Sequence, residues 1–253
     1  MMRKTTIILL LLAVTAVPAL AGVAADHYNR GNQLYAEKKI AEALESYEAA
    51  LSAGADDPDL YLNLGNAAFR LGDVGLAIWS YEMGLRLAPR DGDLRFNLRY
   101  AEAFTRDELP PTDQVFLLRA ARAVALWLRP TEAVLAAALG WLLVGLAVLL
   151  WGPWRNRRGW VIVIGVVGLL ILILFAPIAG WRVHDQLSVD KAVVTTEEAT
   201  VHTAPTLEAG EAFVVHGGMR LELVEQRDRF TRVRIPTGLE GWIESETYRE
   251  LLP

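Results

Sequence analysis

Two long apolar runs in the second half of the chain place the strongest limit on its fold. Residues 131–151 contain one charge, Glu132, near their start, and residues 160–178 contain none. A helix rises about 1.5 Å per residue, so each run is long enough to cross the roughly 30 Å apolar core of a bilayer. Trp181 follows the second run, at the depth where interfacial aromatic residues are expected. We therefore predict a transmembrane hairpin with helices over 131–151 and 160–181.

The charges around these runs indicate how the hairpin is oriented. The connection at residues 152–159 carries three arginines and no acidic residue, which places it in the cytoplasm by the positive-inside rule. Arg119, Arg122 and Arg129 precede the first run, so the number of flanking arginines is three on each side of the predicted membrane and does not decide the orientation. The export signal decides between them, because a chain that follows such a signal reaches the first run from outside. Both soluble flanks are therefore predicted to lie on the outer side of the membrane.

The start of the chain has the three parts of an export signal. Arg3 and Lys4 are followed by an apolar stretch over residues 7–17, and small residues end at Ala21. The stretch is too short to span a bilayer, so we predict a signal peptide over residues 1–21 that is cleaved after Ala21. An uncleaved N-terminal anchor is the alternative.

Residues 109–130 connect the first soluble segment to the hairpin. Arg119, Arg122 and Arg129 fall on one side of a helix drawn over 113–129, and its apolar residues fall largely elsewhere. We predict a linker followed by an interfacial amphipathic helix on the outer membrane surface, or alternatively a helix of the interior core.

An internal repeat with a period of 34 residues occupies the segment before this linker. Small, aromatic and amide residues recur in phase, as Gly31 and Gly65, Ala43 and Ala77, Tyr47 and Tyr81, and Asn29 and Asn32 against Asn63 and Asn66. The period and these residue types resemble the tetratricopeptide repeat, a pair of antiparallel helices. The small residues then mark where the two helices cross, and the tyrosines fill the neighbouring gaps.

The resemblance implies an all-α domain over residues 22–108, with two repeats and a capping helix over 93–107. The capping helix keeps Asn97 in phase with Asn63 but has Arg99 where the repeats have glycine. Arrays of this family bind extended peptides or partner helices in a concave groove, so an interaction module is expected here.

The candidate groove residues come from the same resemblance, and they are Tyr28, Asn32, Asn63, Asn66 and Asn97. The four amides can bracket a peptide backbone, or alternatively cap helices or pack within the array. Some family members grip a C-terminal carboxylate, and the corresponding positions hold Tyr28, Asp93 and Asn97. None of these is basic, so a carboxylate-clamp ligand is not expected.

After the hairpin the composition changes to short β-prone runs separated by Gly, Pro and charged residues. Strands are predicted over 192–194, 199–203, 220–226, 231–235 and 241–243. Residues 199–205 and the ending Gly-Trp-Ile at 241–243 resemble a bacterial SH3 domain, which implies a small all-β barrel over residues 188–253. His202 and Trp242 are the candidate residues of its ligand groove, while a core role for the tryptophan is the alternative.

The residue types do not point to catalysis or to metal binding. The chain has no cysteine, and its four histidines, His27, His184, His202 and His216, have no metal-ligand spacing. No nucleophile-elbow, zinc-protease or phosphate-loop motif occurs. The net charge of −5, without a dense basic run outside the membrane flanks, argues against a nucleic-acid partner. We expect no catalytic residue, metal or cofactor.

The order of signal peptide, helical repeats, membrane hairpin and SH3-like domain resembles the BatE-type proteins of the Bacteroides aerotolerance operon. The resemblance implies a non-enzymatic, multidomain protein of the bacterial inner membrane, with both soluble domains periplasmic, that acts as a scaffold in envelope stress tolerance. Its implied partners are von Willebrand A-domain membrane proteins and a MoxR-type ATPase. The alternative is a cell-wall sensor or anchor whose SH3-like domain binds peptidoglycan.

Overall fold

The computed structural model describes residues 22–107, 125, 127–152, 158–188 and 190–251, without the side chains of 182 and 184–190. These residues form two compact units. The first unit combines the helices that precede the hairpin with the strands that follow it, and the second holds the two long apolar helices. The predicted signal peptide, most of the predicted amphipathic helix and most of the loop between the apolar helices lie outside the described residues.

Five helices make up the repeat segment of the first unit. They are α1 at residues 22–36, α2 at Ile40–Ser52, α3 at Pro58–Arg70, α4 at Val74–Leu87 and α5 at Gly92–Glu102. Asp57, Asp73 and Asp91 begin α3, α4 and α5, and each accepts a hydrogen bond of 2.9 Å from a backbone N–H of the first turn. The predicted helical repeats are confirmed. The predicted capping helix corresponds to α5, which ends at Glu102 rather than at residue 107.

The repeat interior depends on small residues, as the sequence pattern predicts. A Cβ added at Gly31 would lie 2.5 Å from a ring carbon of Tyr47, and one added at Gly65 would lie 2.5 Å from a ring carbon of Tyr81. These distances are well inside van der Waals contact, so only glycine allows the two helices of each repeat to approach this closely.

The strands of the first unit form one antiparallel sheet. They are β1 at Asp190–Val194, β2 at Glu198–His202, β3 at Glu211–His216, β4 at Arg220–Arg227, β5 at Phe230–Arg234, β6 at Glu240–Glu244 and β7 at Tyr248–Leu251. Their order across the sheet is β3-β2-β6-β5-β4-β1-β7. All five predicted strands are present. The predicted barrel is not shown, because within the described residues β3 and β7 are the two edges of an open sheet and do not pair with each other.

Two of these strands, β3 and β7, were not predicted from the sequence, and each omission has a physical reason. The pairing of β2 with β3 shifts register between Val201 and His202, which leaves Ala212 outside the pairing and hides the two-residue period. β7 is only four residues long, and its burial depends on a distant partner. Leu251 belongs to the apolar core of the helices, whereas Tyr248 belongs to the core of the sheet.

The helices and the sheet pack directly against each other along α4 and β1. Val193 lies in the core of the helices, while Ala192 and Val194 lie in the core of the sheet. All three are fully buried, because each face of β1 has its own partner. α4 is buried on all sides for the same reason, with every residue from Gly75 to Tyr81 buried. The two segments on either side of the hairpin therefore share one body.

The second unit contains α6 at Pro130–Leu150 and α7 at Arg158–Ser188, which pack against each other. By length and composition, Pro130–Leu150 and the Arg158–Trp181 part of α7 could cross a membrane. The predicted spans agree with these helices, and α7 continues ten residues beyond the predicted end of its apolar run at residue 178. Pro177 lies inside α7.

Glycine and alanine lie where α6 and α7 are closest. A Cβ added at Gly140 would lie 2.9 Å from the carbonyl oxygen of Gly168, and one added at Gly165 would lie 3.2 Å from the Cβ of Ala147. Small residues at these positions let the backbones approach, as in many membrane helix pairs. Gly145 faces open space and has no such role.

Candidate functional site

A network of amides and tyrosines joins the first repeat to the second. The amide oxygen of Asn32 accepts hydrogen bonds from the hydroxyl of Tyr47 and from the amide nitrogen of Asn63, both at 3.0 Å. Asn63 also donates to the hydroxyl oxygen of Tyr28 at 3.2 Å. The predicted groove residues Tyr28, Asn32 and Asn63 therefore lie together, and Tyr47 completes their network.

The same network recurs one repeat later. The amide oxygen of Asn66 accepts hydrogen bonds from the hydroxyl of Tyr81 and from the amide nitrogen of Asn97, both at 2.9 Å. Burial raises the pKa of the Tyr47 hydroxyl to about 12 and raises the pKa of Tyr81 as well, so both hydroxyls remain donors at neutral pH. The internal bonds give the amides the packing role that the sequence left open as an alternative.

These internal bonds leave part of the second network available. Within the described residues, the amide nitrogen of Asn66 and the amide oxygen of Asn97 form no hydrogen bond, and both side chains are half-buried rather than enclosed. One donor beside one acceptor matches the two groups of a single peptide unit. A packing role and a binding role are therefore compatible in these two residues, and peptide binding stays a prediction.

Four aromatic rings stand beside the second network and form a continuous surface, which we name the aromatic wall. Its members are Phe69, Phe96, Tyr100 and Phe104. The ring centroid of Phe69 lies 5.4 Å from that of Tyr100 and 5.3 Å from that of Phe104, and the rings of Phe96 and Tyr100 stack at 6.4 Å. Phe96 is 60% exposed, and Tyr100 and Phe104 are each 52% exposed.

A cavity of about 390 Å³ lies between the aromatic wall and the second network. It is lined by Tyr35, Asn66, Phe69, Arg70, Tyr81, Phe96, Asn97 and Tyr100. Arg70 is the one charged residue of this lining, and its guanidinium lies 5.2 Å from the centroid of the Tyr35 ring. The cavity combines aromatic surface, amide groups and one cation.

The other end of the repeats carries the opposite charge. A cavity of about 710 Å³ is lined there by Tyr28, by small residues of α1 and of the turn after α2, and by Asp56, Asp57 and Asp59. The two ends of the array therefore present different chemistry: carboxylates beside Tyr28, and a guanidinium beside the aromatic wall.

The sequence reasoning did not include the aromatic wall or Arg70 among the candidate residues. The four-residue spacing of Phe96, Tyr100 and Phe104 would have been the signal, because side chains four apart share one helix face. Phe69 and Arg70 belong to the preceding repeat and join this surface only in the folded array, so the spacing along α5 gives no signal for them.

The opposite side of the helices is occupied by the sheet through ion pairs. Arg220 of β4 forms hydrogen-bonded ion pairs with Glu82 of α4 and, at 2.5 Å, with Glu102 of α5. Burial opposes the charge of Arg220, but the two carboxylates outweigh it and raise the pKa of the guanidinium above its ordinary value. Arg249 of β7 pairs with Glu48 of α2 at 2.6 Å.

Further polar contacts extend this seam along both edges of the sheet. The indole N–H of Trp79 donates to the carbonyl oxygen of Glu250 at 2.8 Å, and Arg86 donates to that of Leu251 at 2.7 Å. At the other edge, one carboxylate oxygen of Asp107 accepts from the backbone N–H of His216, and the other lies 2.8 Å from its ring Nδ1. The sheet is therefore held to the helices from β7 to β3.

The two candidate residues of the sheet, His202 and Trp242, face each other across β2 and β6. Trp242 is 8% exposed, and the guanidinium of Arg227 lies 5.3 Å from its ring centroid. The ring of His202 packs edge-on against Phe230, and its Nδ1 lies 3.3 Å from the carbonyl oxygen of Ala209. The tryptophan is a buried residue, which favours the core role over an open ligand groove.

Among the residues that the structure describes, no group of three His, Asp or Glu side chains is arranged to hold a metal ion. The acidic side chains near the cavities cap helices or line the surface. Asp73, for example, caps α4. Burial raises the pKa of its carboxyl above the ordinary value, and this effect outweighs the hydrogen bond from the backbone N–H of Leu76, which acts in the opposite direction.

Comparison with known protein families supports the repeat assignment over part of the chain. Residues 31–72, from the middle of α1 to the turn before α4, match the TPR repeat family. No curated protein matches the chain. The matched stretch includes part of α1 together with α2 and α3, so the chain carries a TPR repeat there. TPR repeats are associated with binding to other proteins.

Proposed function

We propose that the chain is a non-enzymatic, membrane-anchored scaffold that binds a partner protein through its helical repeats. The observation that carries the proposal is the contrast between the two sides of the array. The back of the array is covered by the sheet through Trp79, Glu82 and their neighbours, whereas the side with Asn66 and Asn97 stays open. An interaction surface that stays open in a packed unit fits a role in recognition.

The single body made by the helices and the sheet supports the proposed hairpin. One folded body cannot lie on both sides of a membrane, so α6 and α7 must return the chain to its starting side if they span the bilayer. A pair of spanning helices does this. With three arginines in residues 152–159, we place the connecting loop in the cytoplasm and the packed unit in the periplasm, at an inner membrane.

The finer identity follows from the order of segments. We propose a BatE-type protein of the kind found in the Bacteroides aerotolerance operon, working with von Willebrand A-domain membrane proteins and a MoxR-type ATPase. The cavity beside the aromatic wall is the proposed contact with such a partner. The sheet positions and stabilises the repeats in this proposal, while its predicted SH3-like character remains a resemblance in sequence.

Photo-crosslinking in native membranes tests the scaffold role directly. A benzoylphenylalanine in place of Phe96 is expected to join the chain to one discrete protein of the same membrane. The same group in place of Glu45, which is exposed on α2 and distant from the cavity, serves as the control. An absence of specific products at Phe96 and at Leu62, the corresponding position of the preceding repeat, would contradict binding through this face.

The absence of native cysteine allows a clean test of the topology. Single cysteines at Ser52 in α2, at Thr237 in the turn between β5 and β6 and at Gly152 after α6 occupy exposed positions. We expect an impermeant thiol reagent to label Ser52→Cys and Thr237→Cys from the outside and Gly152→Cys only after the membrane is opened. Labelling of the first two from opposite sides would rule out the hairpin.

The alternative role in the cell wall has a separate test. If the sheet binds peptidoglycan, the full chain in detergent should sediment with purified sacculi and Trp242→Phe should reduce the bound fraction. We expect no sedimentation above that of an unrelated detergent-solubilised protein, because the indole of Trp242 is buried beneath Arg227.

A further inference from the structure

We propose that the cavity beside the aromatic wall is a subsite for a carboxylate that neighbours an apolar side chain in an extended segment of the partner protein. The inference rests on the proposed scaffold function and names the chemistry of its partner. It depends on three features of the described residues: the exposed rings, the guanidinium of Arg70, and the free groups of Asn66 and Asn97.

The aromatic wall is not required by the packing of the repeats. The buried leucines Leu60 and Leu64 of α3 correspond, 34 residues later, to Leu94 and Leu98 of α5, and these form the contact within the stack. The wall residues correspond instead to positions that are not aromatic in the preceding repeat: Phe96 to Leu62, Tyr100 to Asn66 and Phe104 to Arg70. Three rings that are more than half exposed therefore serve something other than the stack.

The geometry of the wall suits an apolar side chain. Phe69, Tyr100 and Phe104 are in mutual contact, and Phe96 extends the surface by stacking on Tyr100. Rings held by each other lose little conformational entropy when a ligand covers them, so an aromatic or aliphatic residue can bury area there at low cost.

Arg70 adds a charge requirement to this apolar surface. Elsewhere in the unit, arginines such as Arg220, Arg234 and Arg249 each lie within 4 Å of a carboxylate. Within the described part of the chain Arg70 forms no ion pair or hydrogen bond, and its guanidinium lies 5.2 Å from the centroid of the Tyr35 ring. A guanidinium beside a partly apolar cavity without a carboxylate is complementary to an acidic group of a ligand, which it can bind through two N–H donors.

The floor of the cavity favours an extended backbone over a lipid. The amide nitrogen of Asn97 donates a hydrogen bond to the amide oxygen of Asn66, which holds the two side chains together. This bond fixes the spacing between the remaining free groups, the amide nitrogen of Asn66 and the amide oxygen of Asn97. A peptide unit supplies the matching acceptor and donor, whereas a lipid phosphate supplies acceptors alone. The concave shape, of about 390 Å³, also fits a side chain better than a flat bilayer surface.

A displayed library of random decapeptides, selected on the full chain in lipid nanodiscs, is the direct test. We expect the selected peptides to contain Asp or Glu next to an apolar residue, and we expect this enrichment to disappear on Arg70→Gln. Arg99→Gln is the matched control, because Arg99 is an exposed arginine of α5 outside the cavity lining. Enrichment that is unchanged by Arg70→Gln would overturn the proposal.

A second measurement separates the charge from the fold. For one selected peptide, Arg70→Gln should weaken binding about tenfold, and the peptide with its acidic residue changed to the amide should bind the wild-type chain about tenfold less well. The two changes made together should weaken binding little more than either change made alone. Fully additive losses would show that Arg70 does not contact the carboxylate and would overturn the inference.

The outcomes also distinguish this inference from the function on which it rests. If crosslinking at Phe96 captures a partner while no acidic peptide is selected, the carboxylate subsite is wrong and the scaffold stands. If crosslinking fails at every position of this face, the scaffold itself is wrong. If phosphatidylglycerol vesicles bind the full chain through Arg70 and displace the selected peptides, the surface binds lipid and the peptide subsite is wrong.

Discussion

The helices α2 and α4 occupy the same place in successive repeats, yet their surroundings differ. α2 buries Ala43, Ser46, Tyr47 and Ala50 along one stripe, as expected for a helix with one packed face. α4 buries nine of its fourteen residues, because β1 and β7 cover the side that α2 leaves exposed to solvent. The equivalent residues are therefore under different constraints, although the repeat pattern treats them alike.

This difference shows that a repeat period describes the contacts inside the array and nothing outside it. Tyr47 and Tyr81 fill the same gap and bond to equivalent asparagines in both repeats. Glu45 and Trp79 also occupy equivalent positions, 34 residues apart, but Glu45 is exposed to solvent whereas Trp79 is only 7% exposed beneath the sheet. Paired substitutions in α2 and α4 would therefore measure how much more strongly α4 depends on the sheet than α2 does.

Trp79→Ala should produce the largest loss. Removing a buried indole and its hydrogen bond to the carbonyl oxygen of Glu250 is expected to cost about 3–5 kcal/mol, or roughly 10 °C in the melting temperature of the first unit. Thermal unfolding of the full chain in detergent, followed by circular dichroism, measures it. The equivalent change Glu45→Ala should leave the melting temperature nearly unchanged, and equal effects at the two positions would break the comparison.

Gly75→Leu should have the next largest effect. A Cβ at Gly75 would lie 2.5 Å from the carbonyl oxygen of Val194 and 3.1 Å from Gly217, so the sheet must move away from α4 at a cost of about 3 kcal/mol. The matched change one repeat earlier is Ala41→Leu, at an exposed position of α2. We expect it to be tolerated. If limited proteolysis released the strands equally in both variants, the close approach at Gly75 would not be what holds the sheet against α4.

Arg220→Met should reduce stability by a smaller amount, about 1–2 kcal/mol, because it leaves Glu82 and Glu102 without their shared partner in a half-buried seam. Arg249→Met removes one ion pair, with Glu48 on the more exposed α2, and should cost less. Both losses should shrink at high salt if they are electrostatic. A larger loss for Arg249 than for Arg220 would place the main electrostatic contact on α2 instead.

Tyr47→Phe and Tyr81→Phe should have the smallest effects at neutral pH, about 1 kcal/mol each, since each removes one hydrogen bond to an asparagine. Their size should be similar, because this contact is the same in both repeats. Chemical denaturation of each variant provides the measurement, and a much larger loss at Tyr81 would show that the sheet also stabilises the inner network.

The same two tyrosines predict a decline of stability in alkaline solution. Burial raises the pKa of Tyr47 to about 12, above the ordinary value of 10.0 for a tyrosine hydroxyl, and also raises the pKa of Tyr81. Their contribution is fully present below pH 10 and is lost as the pH rises further, because the unfolded chain then releases protons that the folded chain retains. Each Tyr→Phe change should make this decline less steep, as measured by melting between pH 9 and pH 12.

Sequence reasoning predicted the local features of the fold well, for reasons visible in individual residues. The 34-residue spacing of Gly31 and Gly65 predicted the helix crossings, and the apolar runs at 131–151 and 160–178 predicted α6 and α7. It also placed five of the seven strands. It missed β7 because the burial of Leu251 is provided by helices more than 160 residues earlier in the chain.

The candidate site was predicted in part. The four candidate asparagines recur with the repeat, whereas Tyr28 was selected from the family resemblance alone, and the structure brings these five residues into two similar hydrogen-bond networks. Phe96, Tyr100 and Arg70 were missed because they break the repeat pattern, so periodicity gives no reason to select them. Trp242, the candidate groove residue of the sheet, is buried, which favours the core role that the sequence left open as the alternative.

The packing of α4 between segments from both ends of the chain has a consequence for biosynthesis. Helices α1 to α5 are translated before any residue of β1 exists, so Trp79 and its neighbours emerge without the strands that will cover them. If α6 and α7 span a bilayer, as proposed, the first unit can reach its final state only after both helices have inserted and the last strands have followed on the same side. A chain in which one of the two helices fails to insert would then leave the buried face of α4 uncovered, so completion of the sheet would report correct insertion.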